Sequence, residues 1–245
     1  MIQRQEVLPA VIFDMDGVIF DTERLYIDCC KELTDKYHMG KEADVEALCH
    51  RCIGITGAMT RRMILETYGE DFPVEEFSAD VYRLFQEKFG DGKQVIKPGV
   101  HELFSYLKDE GYRIALASST QTKDLTVELD HAGLLQNFDV VVGGEQVTRS
   151  KPEPDIFLRA AELLGENAED CYVIEDSHNG IRAAHAAGMH PIMVPDLLPA
   201  TEEMKEKAEA VLPSLVEVKE YFAVLRQHQA QSAVRVIPIR VVSDQ

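Results

Sequence analysis

The chain has 245 residues, 45% hydrophobic and 28% charged, a balance that suits a folded domain or a core with one inserted module. Its formal net charge of −18 argues against a nucleic-acid partner, which needs a basic face, but admits a small phosphorylated metabolite if the site brings its own cations. No 18-residue apolar run indicates a membrane span and the first residues lack a signal-peptide core, while five cysteines, an odd number, fit a reduced cytoplasmic chain better than a disulfide framework.

The first element expected is a strand at Ala10–Phe13, a short apolar run ending in acid, as a buried parallel strand does. From 22 to 95 the pattern changes to helices without a convincing strand. Tyr26, Cys29, Cys30, Leu33 and Tyr37 make one apolar stripe, and Phe77, Val81, Leu84 and Phe85 make another. This reads as an all-helical module inserted after the first strand, left through the Gly90-Asp91-Gly92-Lys93 linker. Within it, Cys49 and Cys52 form a C-x-x-C with no second ligand pair at zinc-like spacing, so they read as small apolar packing residues.

After the insertion, strand and helix alternate. Apolar runs at 113–117, 138–142, 171–174 and 191–194 are the further strands expected. Val100, Leu103, Phe104 and Leu107, between Pro98 and Gly111, have helical spacing. So do Ile156, Phe157, Ala160, Ala161 and Leu164, and then Ile181, Ala184 and Ala187 before Gly188. The fold class is therefore α/β: a Rossmann-like parallel sheet, residues 1–21 and 96–227, with an inserted helical cap at 22–95. The tail at 228–245 is β-prone around Val236 and Val241, and Pro238 confines it to an edge or to no strand.

Asp14-Met15-Asp16-Gly17 lies directly after the first strand, where ligands of an α/β sheet bind. A carboxylate such as Asp14 is a nucleophile toward phosphorus if a shared cation, such as Mg²⁺, relieves its repulsion from phosphate. Asp16, held away from that cation, suits proton transfer, and Gly17 permits close backbone approach. Ser118-Ser119-Thr120 ends the second strand with hydroxyls and N–H groups for a phosphate, although taken alone the segment is an ordinary polar N-cap. Lys151, before a Pro-initiated helix, can neutralise phosphate; alone it reads as a surface lysine. Glu175 and Asp176, closing another strand, read as metal ligands or as a solvated loop.

In combination these segments resemble one family. The order Asp14-x-Asp16-Gly-Val-x-x-Asp21-Thr22, then Ser118, then Lys151-Pro-x-Pro-Asp-Ile-Phe, then Glu175-Asp176-Ser-x-x-Gly180-Ile, is similar to the four motifs of the haloacid dehalogenase superfamily over residues 10–225. The resemblance implies Asp14 as nucleophile, Asp16 as acid/base, Ser118 as phosphate binder, beside Ser119 from the strand-end reading, and Lys151 as stabiliser of the transferring group. It further implies Mg²⁺ held by Asp14, Asp176 and the Asp16 backbone carbonyl, with Glu175 assisting. The inserted helices look like a small cap that closes over compact substrates, with Thr22, Tyr26 and Arg61 as its candidate substrate contacts.

Within the superfamily the nearest likeness is to the β-phosphoglucomutase-like subgroup. Two positions depart: such mutases carry a histidine where this chain has Tyr26 and a cap arginine where Gly57 falls, leaving Arg61 or Arg62 as the candidate replacement. The expected activity is Mg²⁺-dependent hydrolysis of a small phosphomonoester, of the sugar-phosphate kind, through an aspartyl phosphate. The alternative is a mutase that passes the same phosphoryl group to a second hydroxyl. Dehalogenation has no use for the leaving-group acid Asp16, and a binding domain without turnover has no use for the full set of acids with Lys151.

Overall fold

The computed structural model describes residues 8–53, 55, 57–90 and 95–234. Six strands, β1 (Ala10–Phe13), β2 (Ile114–Ala117), β3 (Val140–Val142), β4 (Cys171–Glu175), β5 (His190–Met193) and β6 (Ala210–Val211), form one sheet in the order β3-β2-β1-β4-β5-β6. All neighbouring strands run parallel. The order reverses direction between β1 and β4, so a crevice opens beyond their carboxyl ends.

Five helices separate β1 from β2, and the first four, α1 (Thr22–Glu32), α2 (Glu42–Cys52), α3 (Gly57–Tyr68) and α4 (Val74–Phe89), form the inserted group. Around the sheet lie α5 (Val100–Glu110), α6 (Thr122–His131), α7 (Asp155–Leu164), α8 (His178–Ala186), α9 (Glu202–Lys207) and α10 (Leu215–Val234).

The alternation of a strand sends neighbouring side chains to opposite faces, and β1 shows it. Val11 and Phe13 join Leu103, Phe104, Leu116 and Phe222 on one side, whereas Ala10 and Ile12 join Phe157, Ala160, Val173 and Ala183 on the other. Phe13 meets Phe104 edge-on at 5.0 Å. Burying such a ring contributes roughly 1.5–3 kcal/mol, and the resulting stiffness fixes the residue that follows it. Helices α1 to α4 bury a cluster of their own, including Cys29, Cys30, Val45, Leu48, Phe77, Val81 and Phe85.

Several boundaries differ from the sequence reading for local reasons. The first apolar stripe does not stay helical to Tyr37: α1 ends at Glu32, and left-handed His38 and Gly40 (φ 54° and 91°) turn the chain. Tyr37 is nevertheless buried, its hydroxyl donating to Asp80 at 2.6 Å. β3 begins at Val140 rather than 138, because Phe138 leaves the strand line to pack 5.2 Å from Phe104. β4 gains Glu175 by pairing with Met193.

Residues 228–234 of the tail continue α10 and form no strand, while Pro238 and the rest of 235–245 lie outside the described residues. No helix among the described residues is long and apolar enough to cross a membrane.

Candidate active site

The end of β1 is stapled to its neighbour: the Asp14 N–H donates to the Ile174 carbonyl of β4 at 3.0 Å. The chain then folds back tightly, with the Met15 carbonyl accepting from Ile19 at 2.8 Å and the Gly17 N–H donating to Phe20 at 2.9 Å. Asp14 and Asp16 are thus fixed at one strand end.

Lys151 is 3% exposed, and its Nζ donates to Asp14 Oδ1 at 2.6 Å and to Glu175 Oε1 at 2.8 Å. The Phe157 ring backs it at 4.8 Å. Burial works against its charge, but Asp14 and Glu175 outweigh burial and hold the ammonium above its usual range.

One ammonium does not balance what surrounds it. Oxygens of Asp14, Glu175 and Asp176 all lie within 4.8 Å of one another, and all three residues are buried. Burial, helped by Glu175 and Asp16 and resisted by Lys151, pushes the Asp14 carboxyl up to about 7. Burial together with Glu175, Glu23 and Asp14 raises Asp176 well above the carboxylate range. Asp176 Oδ2 is buried without a hydrogen-bond partner. An uncompensated buried carboxylate is costly, and a hard divalent cation with oxygen ligands is the group that relieves it. The donor set fits Mg²⁺.

Asp16 points elsewhere. Its carboxylate accepts from Thr22 Oγ1 at 2.5 Å and from Thr120 Oγ1 at 3.3 Å, outside the three-acid cluster. Its side chain thus joins no metal-ligating group among the described residues. Burial raises its pKa, opposed by the two threonine hydroxyls, so the side chain holds a proton more readily than a free aspartate. Buried Ser118 has its Oγ 3.2 Å from the Thr120 N–H, which donates to it, while Ser119 is exposed.

Glu175 is shaped by α8. Its Oε2 accepts from the Ser177 N–H at 2.6 Å, and Ser177 Oγ caps the helix at the Gly180 N–H, 3.0 Å away. A Cβ at Gly180 would fall 1.7 Å from Glu175 Oε1, so only glycine lets the carboxylate lie over the first turn.

Over this floor lies a cavity of about 710 Å³, walled on the far side by α1 to α4. All ten residues expected at the site line it: Asp14, Asp16, Thr22, Tyr26, Arg61, Ser118, Ser119, Lys151, Glu175 and Asp176. So does Gly57 at the start of α3. Arg61 pairs with Glu75, whereas Arg62 pairs with Glu66 and is not among the lining residues. Cys49 and Cys52 also line the cavity as free thiols, and neither joins a metal-ligating group among the described residues.

Residues 11–194 match the family model for haloacid dehalogenase-like hydrolases. The chain belongs to that family. It is 35% identical over 211 residues to the bifunctional riboflavin kinase/FMN phosphatase of Arabidopsis thaliana, covering 85% of this chain and 54% of that one. The chain thus spans about half the length of that relative. It is also 33% identical over 222 residues to the phosphorylated carbohydrates phosphatase of Thermotoga maritima, covering 90% and 99% of the two chains. Among solved structures, CbbY from Rhodobacter sphaeroides in complex with phosphate is similar at 26% identity, with a TM-score of 0.71 over 86% of this chain and 96% of that one.

In this family member the acidic ring extends further than the motifs foretold. Glu23 and Asp196 bring oxygens within 4.8 Å of Asp176, and burial followed by the charges of Asp16 and Asp14 pushes Glu23 up to about 8. Asp196 had a readable signal: like Asp14 and Asp176, it follows soon after an apolar strand, here β5. Thr120 was visible as a hydroxyl beside Ser118, but only the fold brings it to Asp16.

Gly17 provides a direct test of this packing. Its φ is 76°, and a Cβ there would sit 2.3 Å from Asp176 Oδ2. Gly17→Ala combines about 1–2 kcal/mol of left-handed strain with displacement of that carboxylate. We expect the Mg²⁺ concentration for half-maximal turnover to rise at least severalfold; an unchanged Mg²⁺ titration would refute the packing.

Proposed function

We propose that the chain is a Mg²⁺-dependent phosphatase that hydrolyses a small phosphomonoester, of the sugar-phosphate class, through a phosphate ester on Asp14. The observation that carries this reading is the division of labour between neighbouring carboxylates. Asp14 sits on Lys151 in the three-acid cluster, while Asp16 stands outside it on two threonine hydroxyls.

An Asp14 carboxylate oxygen attacks phosphorus as the bond from phosphorus to the ester oxygen breaks, and Asp16 delivers its proton to that departing oxygen. The alcohol leaves. Asp16, now a carboxylate, takes a proton from water as the water oxygen attacks the phosphoryl group and frees Asp14. Lys151, with the Ser118 and Ser119 segment, supports the charge of the transferring group. Mg²⁺, held by Asp14, Asp176 and the Asp16 carbonyl with Glu175 assisting, supplies neutralisation of phosphate charge when bound.

The experiment is phosphate release from a panel of phosphorylated metabolites with and without Mg²⁺. Turnover should vanish with EDTA and return with excess Mg²⁺, and Asp16→Asn should lose roughly 10²–10⁴-fold. Turnover indifferent to chelation, or full activity in Asp16→Asn, would sink the mechanism.

Two observations favour hydrolysis over a mutase. A bisphosphate must be gripped at both ends, yet among the described lining residues the arginine and lysine side chains are Lys151 and Arg61, and Arg61 is engaged by Glu75. Tyr26 and Gly57, at the two positions that differ from mutases, both face the cavity without charge. Phosphate release should therefore outpace conversion of β-glucose 1-phosphate to glucose 6-phosphate on one preparation supplied with glucose 1,6-bisphosphate. Isomerisation running ahead would reverse the assignment. The five free thiols suit a reducing compartment such as the cytoplasm.

A further inference from the structure

The cavity is larger and more differentiated than a phosphate and a few hydroxyls require. Its volume of about 710 Å³ falls well inside the range of roughly 300–1,000 Å³ typical of drug-sized ligands. The floor is the acid and lysine cluster. The two walls above it differ in chemistry.

One wall comes from α1, α2 and the turn leading to α3, and its surface is Tyr26, Cys30, Leu48, Cys49, Ile53 and Ile55. Tyr26 dominates it. The side chain is supported by Phe85, with ring centroids 6.2 Å apart, yet Tyr26 remains 42% exposed. A supported aromatic ring open to a cavity is a stacking platform.

The other wall is α4, which sets a polar stripe beside Phe77 and Phe85. Ser78, Tyr82 and Gln86 are spaced i, i+4, i+8, hence on one helical face, and all three line the cavity. They carry a hydroxyl, a phenol and an amide, with both donors and acceptors among them. A bare hexose would bring several hydroxyls against the apolar wall, where each one left unpaired is penalised. A flat ring with polar atoms at its edge matches both walls, its face on Tyr26 and its edge toward α4.

Charge narrows the ligand further. The cations among the described lining residues are each paired with carboxylates, Lys151 with Asp14 and Glu175, Arg61 with Glu75, and Glu128 adds another acid. The group beyond the phosphate is therefore uncharged or cationic, not a second phosphate or a carboxylate.

Resting on the phosphatase reading above, we propose that the cap side of the cavity is a ring-binding subsite and that the substrate is a phosphorylated sugar or polyol bearing a planar heteroaromatic ring. The test compares kcat/KM for ribose 5-phosphate and glucose 6-phosphate with adenosine 5′-monophosphate, uridine 5′-monophosphate and flavin mononucleotide. At least one ring-bearing ester should exceed ribose 5-phosphate by tenfold or more, chiefly through KM. Tyr26→Ala should shrink that ratio by roughly 5–100-fold, the range for removing one aromatic stacking partner, while Tyr26→Phe should preserve most of it.

Ribose 5-phosphate matching every ring-bearing ester, or a ratio untouched by Tyr26→Ala, would overturn the subsite. Failure of the phosphatase reading is separable, because calorimetric binding to the Asp14→Asn protein needs no turnover. There too a ring-bearing ester should bind at least tenfold more tightly than ribose 5-phosphate, and equal binding would overturn the proposal.

Discussion

Asp14→Asn should abolish phosphate release, by about 10⁴-fold or more, without unfolding the protein. The amide is a very poor nucleophile and a weaker cation ligand, so it removes both the covalent route and part of the metal site. The fold should tolerate it. Asparagine keeps an oxygen for Lys151, which at 2.6 Å donates to Asp14 Oδ1, and Lys151 retains Glu175 at 2.8 Å. The change also removes one of three mutually repelling buried acids. The melting temperature without metal should therefore equal or exceed that of the parent protein. Residual turnover above about 1% of the parent, in a preparation free of deamidated protein, would remove Asp14 from the nucleophile's role.

Lys151→Ala should have the largest effect on stability. Its ammonium is the positive charge placed among Asp14, Glu175 and Asp176, and it is 3% exposed. Its removal leaves buried carboxylates unpaired and opens space beside Phe157, a loss of about 3–5 kcal/mol for breaking a buried ion pair from one side. Because the remaining cluster is more negative, Mg²⁺ should raise the variant's melting temperature more than the parent's, by mass action on the folded state. The check is a pair of melting curves for each protein, with and without Mg²⁺. An unchanged melting temperature in Lys151→Ala would show that Lys151 does not hold the cluster together.

What the sequence revealed, and what it hid, follows from distance along the chain. Asp14, Ser118 and Glu175 each close or directly follow an apolar strand, and such local punctuation is readable from a few residues. The convergence of these three strand ends was inferable because parallel α/β sheets bind ligands at one edge. The partners of Asp16 were not readable in the same way. Thr22 lies six residues away, but Thr120 lies 104 residues away, and only the pairing of β1 with β2 brings it near.

The cap was legible as helices but not as surfaces. Phe77, Val81 and Phe85 announced one apolar stripe of α4, while Ser78, Tyr82 and Gln86 gained meaning only when that helix was seen over the sheet's edge. The helical part of the tail was hidden for a different reason: α10, which carries it, is anchored by Leu215, Val218 and Phe222, well upstream of residue 228. At two residues, β6 is too short to announce itself by pattern and owes its place to β5.

The position of β1 in the sheet has a consequence for biosynthesis. It is the first of the six described strands of the sheet to be made, yet it lies between β2 and β4, whose pairing residues begin at Ile114 and Cys171. At translation rates of about 5–20 residues per second, roughly 10–30 s pass between the emergence of β1 and that of its last neighbour. Helices α1 to α4 can consolidate through local contacts in that interval, whereas the strand pairings must close long loops and form late. Ala10 to Phe13 therefore wait as an unpaired apolar segment, the kind of sequence that chaperones hold and that aggregation claims. Defects in β1 should accordingly appear as a lower yield of soluble protein before they appear as a lower melting temperature. Asp14, among the earliest of the site residues to be synthesised, is among the last to be seated.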